Sequence, residues 1–175
     1  MAVLKDFFCD RLHVRVFDTR AAMGACAGQE AADALRALLA QKETINVMFA
    51  AAPSQNETLA TLCAAPAIDW TRVNAFHMDE YVGLDPEHPA GFRNFLKRAI
   101  FDRKPFRENP LDMCLLGIGE NGHIAFNDPS VADFSDPCFV KVVALEDRCR
   151  MQQVNDGCFS SIELVPRCAL SVTIP

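Results

Sequence analysis

The sequence predicts an α/β domain with a mostly parallel, doubly wound (Rossmann-like) sheet and helices on both faces. Three observations predict it. Short runs such as Ile45–Ala50 and Leu111–Leu116 are apolar on both faces, as strands in a covered parallel sheet are. Segments with apolar residues at helical spacing alternate with those runs. Polar or glycine-rich segments follow the runs directly, and right-handed crossovers gather such loops along one edge of a sheet.

Taken in order, Leu12–Phe17 alternates apolar and polar residues and reads as a strand. Asp18 or Thr19 caps the helix that follows, Arg20–Gln41, whose Ala and Leu positions recur every three or four residues. Ile45–Ala50 is a strand. Pro53-Ser54-Gln55-Asn56 turns the chain into a helix near Glu57–Ala64. Val73–Met78 is the next strand and Gly91–Ile100 the next helix. Leu111–Leu116 runs into the glycine-rich loop, and Val140–Leu145 and Ala169–Ile174 add two strands. Neither an internal repeat nor a linker interrupts this order, so residues 1–175 are expected to form one domain.

Composition narrows the function classes. The formal charge of −6 gives no support to nucleic acid or an anionic membrane as partner. No apolar run approaches the roughly 20 residues of a membrane span. Met1–Asp6 lacks the basic start and long apolar stretch of a signal peptide, so a cytoplasmic protein is expected. The cysteines at 9, 26, 63, 114, 138, 149, 158 and 168 form no Cys-x-x-Cys pair and are expected to be mostly buried thiols. The four histidines, His13, His77, His88 and His123, show no helical or hairpin metal-ligand spacing, so no metal site is expected.

Two constellations carry chemistry. In Gly117–Pro129, three glycines (Gly117, Gly119 and Gly122) precede His123, and Asp128 follows it by five residues. Glycines let backbone approach a ligand closely. A histidine there moves protons near neutral pH, and a nearby carboxylate fixes its tautomer; Asn121 can join the same network. The glycine spacing alone is not a dinucleotide fingerprint, because no ribose-binding acid follows. The second constellation is Phe76–Leu84, where Asp79 and Glu80 follow a buried strand at the ligand end of the sheet. A desolvated carboxylate at that position can abstract a carbon-bound proton, or it can simply cap the next segment. Tyr81, the only tyrosine, can contact a ligand or fill the core. A carboxylate at one strand end and a histidine at another suit sugar isomerisation: ring opening at O5, then proton transfer from C2 to C1. Lactone hydrolysis or acyl transfer also fits a histidine in a glycine loop. The absence of a Gly-x-Ser-x-Gly elbow disfavours a serine hydrolase.

Phe76–Leu84 and Gly117–Pro129 resemble the two signature segments of the glucosamine-6-phosphate deaminase/isomerase family. Glu87-His88-Pro89, Phe92–Leu96 and Val165–Val172 resemble further segments of it. The related 6-phosphogluconolactonases share the fold, but Ile124-Ala125-Phe126-Asn127 favours the deaminase branch. The resemblance implies an amino-sugar phosphate as small-molecule partner, a ketose phosphate and ammonia as products, and neither cofactor nor metal. It leaves a homo-oligomer open. It implies that Asp79 removes the C2 proton, that His123 opens the ring, and that Asn121 and Asp128 support His123. Ser54 falls in the phosphate loop; Gln55, Glu80, Gly117, Gly119 and Gly122 complete the expected substrate contacts. Four departures from the family pattern stand out. The phosphate loop, Ala50–Glu57, lacks glycine and carries Glu57. Val154–Phe159 lacks an arginine, for which Arg148 or Arg150 is the nearest substitute. Asp128 stands where glutamate is more common. By the family pattern, further segments are expected between Phe106 and Arg107 and beyond Pro175. A sugar lactonase, or a non-catalytic sugar-binding module on the same scaffold, is the alternative expectation.

Overall fold

The computed structural model describes residues 3–106 and 113–174. Its elements in chain order are β1 (Val3–Cys9), β2 (Leu12–Phe17), α1 (Arg20–Gln41), β3 (Ile45–Phe49), α2 (Asn56–Ala64), β4 (Val73–His77), β5 (Asp79–Tyr81), α3 (Phe92–Ala99), β6 (Met113–Leu115), β7 (Val140–Ala144), α4 (Asp147–Asn155) and β8 (Cys168–Val172). It is a mixed α/β fold. Strand β3 is central in a parallel sheet of order β4-β3-β6, with Phe49 opposite both His77 and Leu115. Ile45, Val47 and Phe49 are fully buried, and Met48 on the other face is nearly so. That burial on both faces is what the apolar run predicts.

Only these three strands are parallel among the described residues, which corrects the expectation of a mostly parallel sheet. Leu12–Phe17 pairs antiparallel with Val3–Cys9, a strand the sequence reading did not anticipate. The two segments are adjacent in the chain and separated by two residues, with Asp10 at φ 51, the geometry of a tight hairpin turn. Val140–Ala144 and Cys168–Val172 are strands, as expected, but they pair antiparallel with each other and with β5. In β8, Ala169 and Ser171 are buried while Leu170 is exposed. This half-buried alternation suits an antiparallel sheet with one open face. Residues 111 and 112 of the expected strand at 111–116 lie outside the described residues.

Thr19, rather than Asp18, caps α1: its backbone is extended and its hydroxyl accepts the Ala22 N–H at 3.1 Å. The buried face of α1 runs through Gly24, Gly28, Ala31, Ala32, Leu35 and Leu39, a stripe at helical spacing. It packs on α2, which buries Leu59, Leu62 and Cys63. One buried cluster continues from these helices through Phe49 to Tyr81, Phe126, Val143 and Ala169, so it joins the parallel and antiparallel sheets. All eight cysteines are free. Only Cys63 and Cys149 are buried, while Cys9, Cys114 and Cys138 are exposed, which corrects the expectation of mostly buried thiols. Cys9 ends β1, Cys114 lies on β6 at the edge of the parallel sheet, and Cys138 sits in the segment before β7. Among the described residues no helix is long and apolar enough to cross a membrane.

Close approach of α1 to α2 depends on small residues. A Cβ on Gly28 would stand 2.6 Å from the Thr58 carbonyl oxygen and 2.6 Å from Thr61 Cβ. Alanine has the better helix propensity, by up to about 1 kcal/mol. Overpacking against a backbone carbonyl costs about 1–3 kcal/mol. The Gly28→Ala variant is therefore expected to lower the melting temperature. An unchanged or raised value would show that the helices part without cost.

Candidate active site

The three parallel strands end at one level, and the loops leaving them form a cleft. Ala50–Ala52, Ser54 and Gln55 leave β3; Met78 and Asp79 leave β4; Gly117, Ile118, Gly119 and His123 leave β6. Phe92, Phe126, Gln152 and Gln153 close its sides. The cavity is about 60 Å³ and open to solvent. Ligand sites commonly hold roughly 300–1,000 Å³, so a sugar would extend from this cavity into its open mouth.

Asp79 sits where the chain changes sheets. The Met78 N–H donates to the Phe49 carbonyl at 3.1 Å, and the Met78 carbonyl accepts from the Val172 N–H at 3.3 Å. The parallel ladder thus hands over to the antiparallel one a single residue before Asp79. Asp79 is 9% exposed, and its Oδ1 is buried with no hydrogen-bond partner. Burial first, and the neighbouring Glu80 charge second, push its pKa up to about 7.

Glu80 points the other way, as alternation along a strand requires. Its carboxylate accepts the backbone N–H groups of Phe92 and Arg93 at 3.1 and 2.9 Å, and Arg93 Nε at 3.2 Å. It holds the start of α3 rather than lining the cleft. Burial alone would raise its pKa, but the N–H groups of Arg93, Tyr81 and Phe92 outweigh that and hold it low. Two adjacent carboxylates therefore have opposite tendencies, set by environment alone. Tyr81 takes the core option: it is buried against Phe92, Phe126 and Phe159.

His123 is held from behind. Its Nδ1 lies 2.6 Å from Asn121 Oδ1 and 3.1 Å from Asp128 Oδ1. Both partners are acceptors, which assigns the proton to Nδ1 and leaves Nε2 as the acceptor. Asn121 Nδ2 donates to Asp128 Oδ1 at 2.8 Å and to Glu146 Oε2 at 3.3 Å. The Glu146 N–H donates to Asp128 Oδ2 at 2.8 Å. Asp128 is fully buried. Burial raises its pKa, but hydrogen bonds from His123, Asn121 and the Glu146 backbone prevail and hold it below the usual value. Gly119 packs under the imidazole, where an added Cβ would stand 2.2 Å from His123 Cε1; only glycine fits. Gly122, at φ +88, turns the chain without lining the cleft. The Phe126 N–H to Ser171 Oγ at 3.0 Å and Asn127 Nδ2 to the Val172 carbonyl at 2.8 Å pin the loop to β8.

Of the residues singled out in the sequence, Asp79, His123, Ser54, Gln55, Gly117 and Gly119 line one cleft. Asn121 and Asp128 stand behind His123, and Glu80 and Gly122 stand outside. Gln55 Nε2, like Asp79 Oδ1, is buried without a partner. Sequence reasoning missed Gln152, Gln153 and Glu146, because α4 was not anticipated. The segment between the last two strands, with paired amides at 152 and 153, was the available signal. The arginine substitutes are not at the cleft. Arg150 is buried and donates to the carbonyls of Ile162 and Val165. Arg148 is exposed, and among the described residues no lysine or arginine lines the cleft. Glu57 is paired with Arg20 at 2.9 Å, which also donates to the Pro53 carbonyl. Among the described residues one group of metal-ligand types clusters: His123, Asp128 and Cys149.

No family model matches the chain. It is 32% identical over 134 residues to a glucosamine-6-phosphate deaminase of Lactobacillus delbrueckii subsp. bulgaricus, covering 63% of this chain and 55% of that protein. It is 32% identical over 152 residues to one of Enterococcus faecalis, covering 73% of this chain and 63% of that protein. The chain thus spans little more than half the length of these relatives. Among solved structures, a monomeric glucosamine-6-phosphate deaminase superposes with a TM-score of 0.75 at 22% identity, over 90% of this chain and 74% of that one. A 6-phosphogluconolactonase from Plasmodium vivax gives 0.71 at 10% identity, over 96% and 74%. The fold is the one shared by these deaminases and lactonases. By sequence, the chain is a homologue of the glucosamine-6-phosphate deaminases.

The Asp79 environment has a stability consequence. Its folded pKa, about 7, is above the ordinary 3.8, so the native state holds a proton that the unfolded chain has lost. The associated stability is full below about pH 4 and is lost as pH rises to about 7. A shift of about 3 units corresponds to up to about 4 kcal/mol. Asp79→Asn should be the more stable protein at pH 8 and match the parent at pH 4, read by chemical denaturation. Equal stability at both values would mean that the carboxylate finds a partner in solution.

Proposed function

We propose that this chain carries the proton-transfer site of an amino-sugar phosphate deaminase/isomerase, in one α/β domain (residues 1–175) acting in the cytoplasm. The doubly wound arrangement of helices belongs to the same reading. The observation that carries it is Asp79: a buried carboxylate with an unpartnered oxygen, titrating near neutrality, in the same cleft as His123. A general base works best when its pKa lies near the working pH.

The steps follow from the two positions. His123 Nε2 takes the proton of the anomeric hydroxyl and returns one to O5, which opens the ring. The C1 aldehyde makes the C2–H acidic. Asp79 as carboxylate removes that proton; the electron pair forms a C1–C2 double bond while the C1–O1 π pair moves onto O1, which takes a proton from the substrate ammonium group. Return of the proton to C1 leaves an imine at C2. Water adds there and ammonia leaves, so amino-aldose phosphate plus water gives ketose phosphate plus ammonia. Asn121 and Asp128 keep the imidazole in one tautomer through the first step. Lactone hydrolysis uses no carbon-acid base and so leaves a buried, unpartnered Asp79 unexplained. A pure binding module needs none either.

Asp79→Asn keeps the shape and removes the base. Turnover, measured as ammonia release from amino-sugar phosphates, is expected to fall by roughly 10²–10⁴. Turnover within a few-fold of the parent would reject Asp79 as the base.

The phosphate end is weaker. Ser54 and Gln55 precede the N-terminus of α2, where the Gln55 and Asn56 N–H groups already donate to the carbonyls of Ala52 and Pro53, so the loop's open donors are the Ser54 hydroxyl and the unpartnered Gln55 Nε2. These donors are neutral, and the Gly119 N–H beside them is already given to the His123 carbonyl at 2.9 Å. A charge-assisted hydrogen bond contributes about 1.5–3 kcal/mol, so missing one costs roughly tenfold or more in affinity. Calorimetric titration of this chain with glucosamine 6-phosphate should give a dissociation constant weaker than low micromolar. A low-micromolar value would show that the neutral loop grips phosphate unaided.

A further inference from the structure

Behind the imidazole lies a second set of groups. Cys149, on α4, is buried with its thiol turned to Asp128. One donor atom from each of His123, Asp128 and Cys149 falls within 4.8 Å of the other two. We propose that these three residues form a binding site for a thiophilic divalent cation of the zinc class.

The donor set suits that chemistry. Imidazole, carboxylate and thiolate together are the mixture that zinc-class cations select over magnesium or calcium. Ligands about 2.0–2.3 Å from a tetrahedral zinc stand roughly 3.3–3.8 Å apart. The His123 Nδ1 to Asp128 Oδ1 distance is already 3.1 Å, and the Cys149 thiol lies within 4.8 Å of the other two donors. The framework is preset, because Asn121 Nδ2 and the Glu146 N–H hold the Asp128 carboxylate in place. A fourth position remains for water or for the Glu146 carboxylate, 3.3 Å from Asn121 Nδ2.

Binding changes the protons. The Cys149 thiol proton leaves to solvent, and the imidazole proton moves from Nδ1 to Nε2 as Nδ1 takes the cation. Nε2 then has no lone pair to accept a sugar proton. If His123 opens the ring as proposed above, the cation is an inhibitor; this last consequence alone rests on that reading.

The test separates the two. Cys9, Cys114 and Cys138 are exposed, so they are first replaced by serine. That protein is titrated with Cd²⁺ while thiolate-to-metal absorbance in the ultraviolet is followed, and Zn²⁺ is then added as competitor. One Cd²⁺ per chain, displaced by Zn²⁺, is expected, with the signal lost in Cys149→Ser. Asp128→Asn, checked for folding by circular dichroism, should bind at least tenfold more weakly. No saturable signal in the parent, or the same signal in Cys149→Ser, overturns the site. Ammonia release with and without Zn²⁺ reports separately on inhibition.

Discussion

The two parallel ladders of β3 are the constraint on which the site depends. Phe49 stands opposite His77 on one side and Leu115 on the other, so three strands end at one level. A one-residue slip in either ladder would turn the residues of that strand to the opposite face and separate the loops. Full burial of Ile45, Val47 and Phe49 makes such a slip costly. Core packing therefore sets how Asp79 and His123 face one cleft.

The antiparallel sheet adds a second support. It takes over the chain at Met78 and pairs Asp79 with Ser171, whose hydroxyl also receives the Phe126 N–H. One residue of β8 thus anchors both the strand bearing the carboxylate and the loop bearing the histidine. Neither side chain depends on a flexible loop alone for its position.

Much of this was legible in the sequence. The helix Arg20–Gln41 and the central strand follow from periodicity, and glycine spacing marks the histidine loop. Pairing direction was less legible, since β7 and β8 have strand patterns that serve either direction. Their partners are chosen by long-range contacts that no local pattern encodes. Glu80 shows the same limit within the site. It adjoins Asp79 in sequence, yet strand alternation sends it to the N-terminus of α3. The ligand group behind His123 escaped histidine-spacing rules because its third member comes from a helix far along the chain.

The network around Asn121 also bears on how the protein ages. Asparagine followed by glycine is the pairing most open to deamidation, because a bare backbone nitrogen can attack the side-chain carboxamide. Asparagine is among the thermolabile residues for this reason. Here the Asn121 carboxamide is engaged with Asp128 and His123, and the Gly122 N–H donates to the Gly119 carbonyl at 2.9 Å. Both reacting groups are thus occupied. The bonds that orient the histidine also shield the chain from a slow covalent change that would put a third carboxylate beside Asp128 and Glu146.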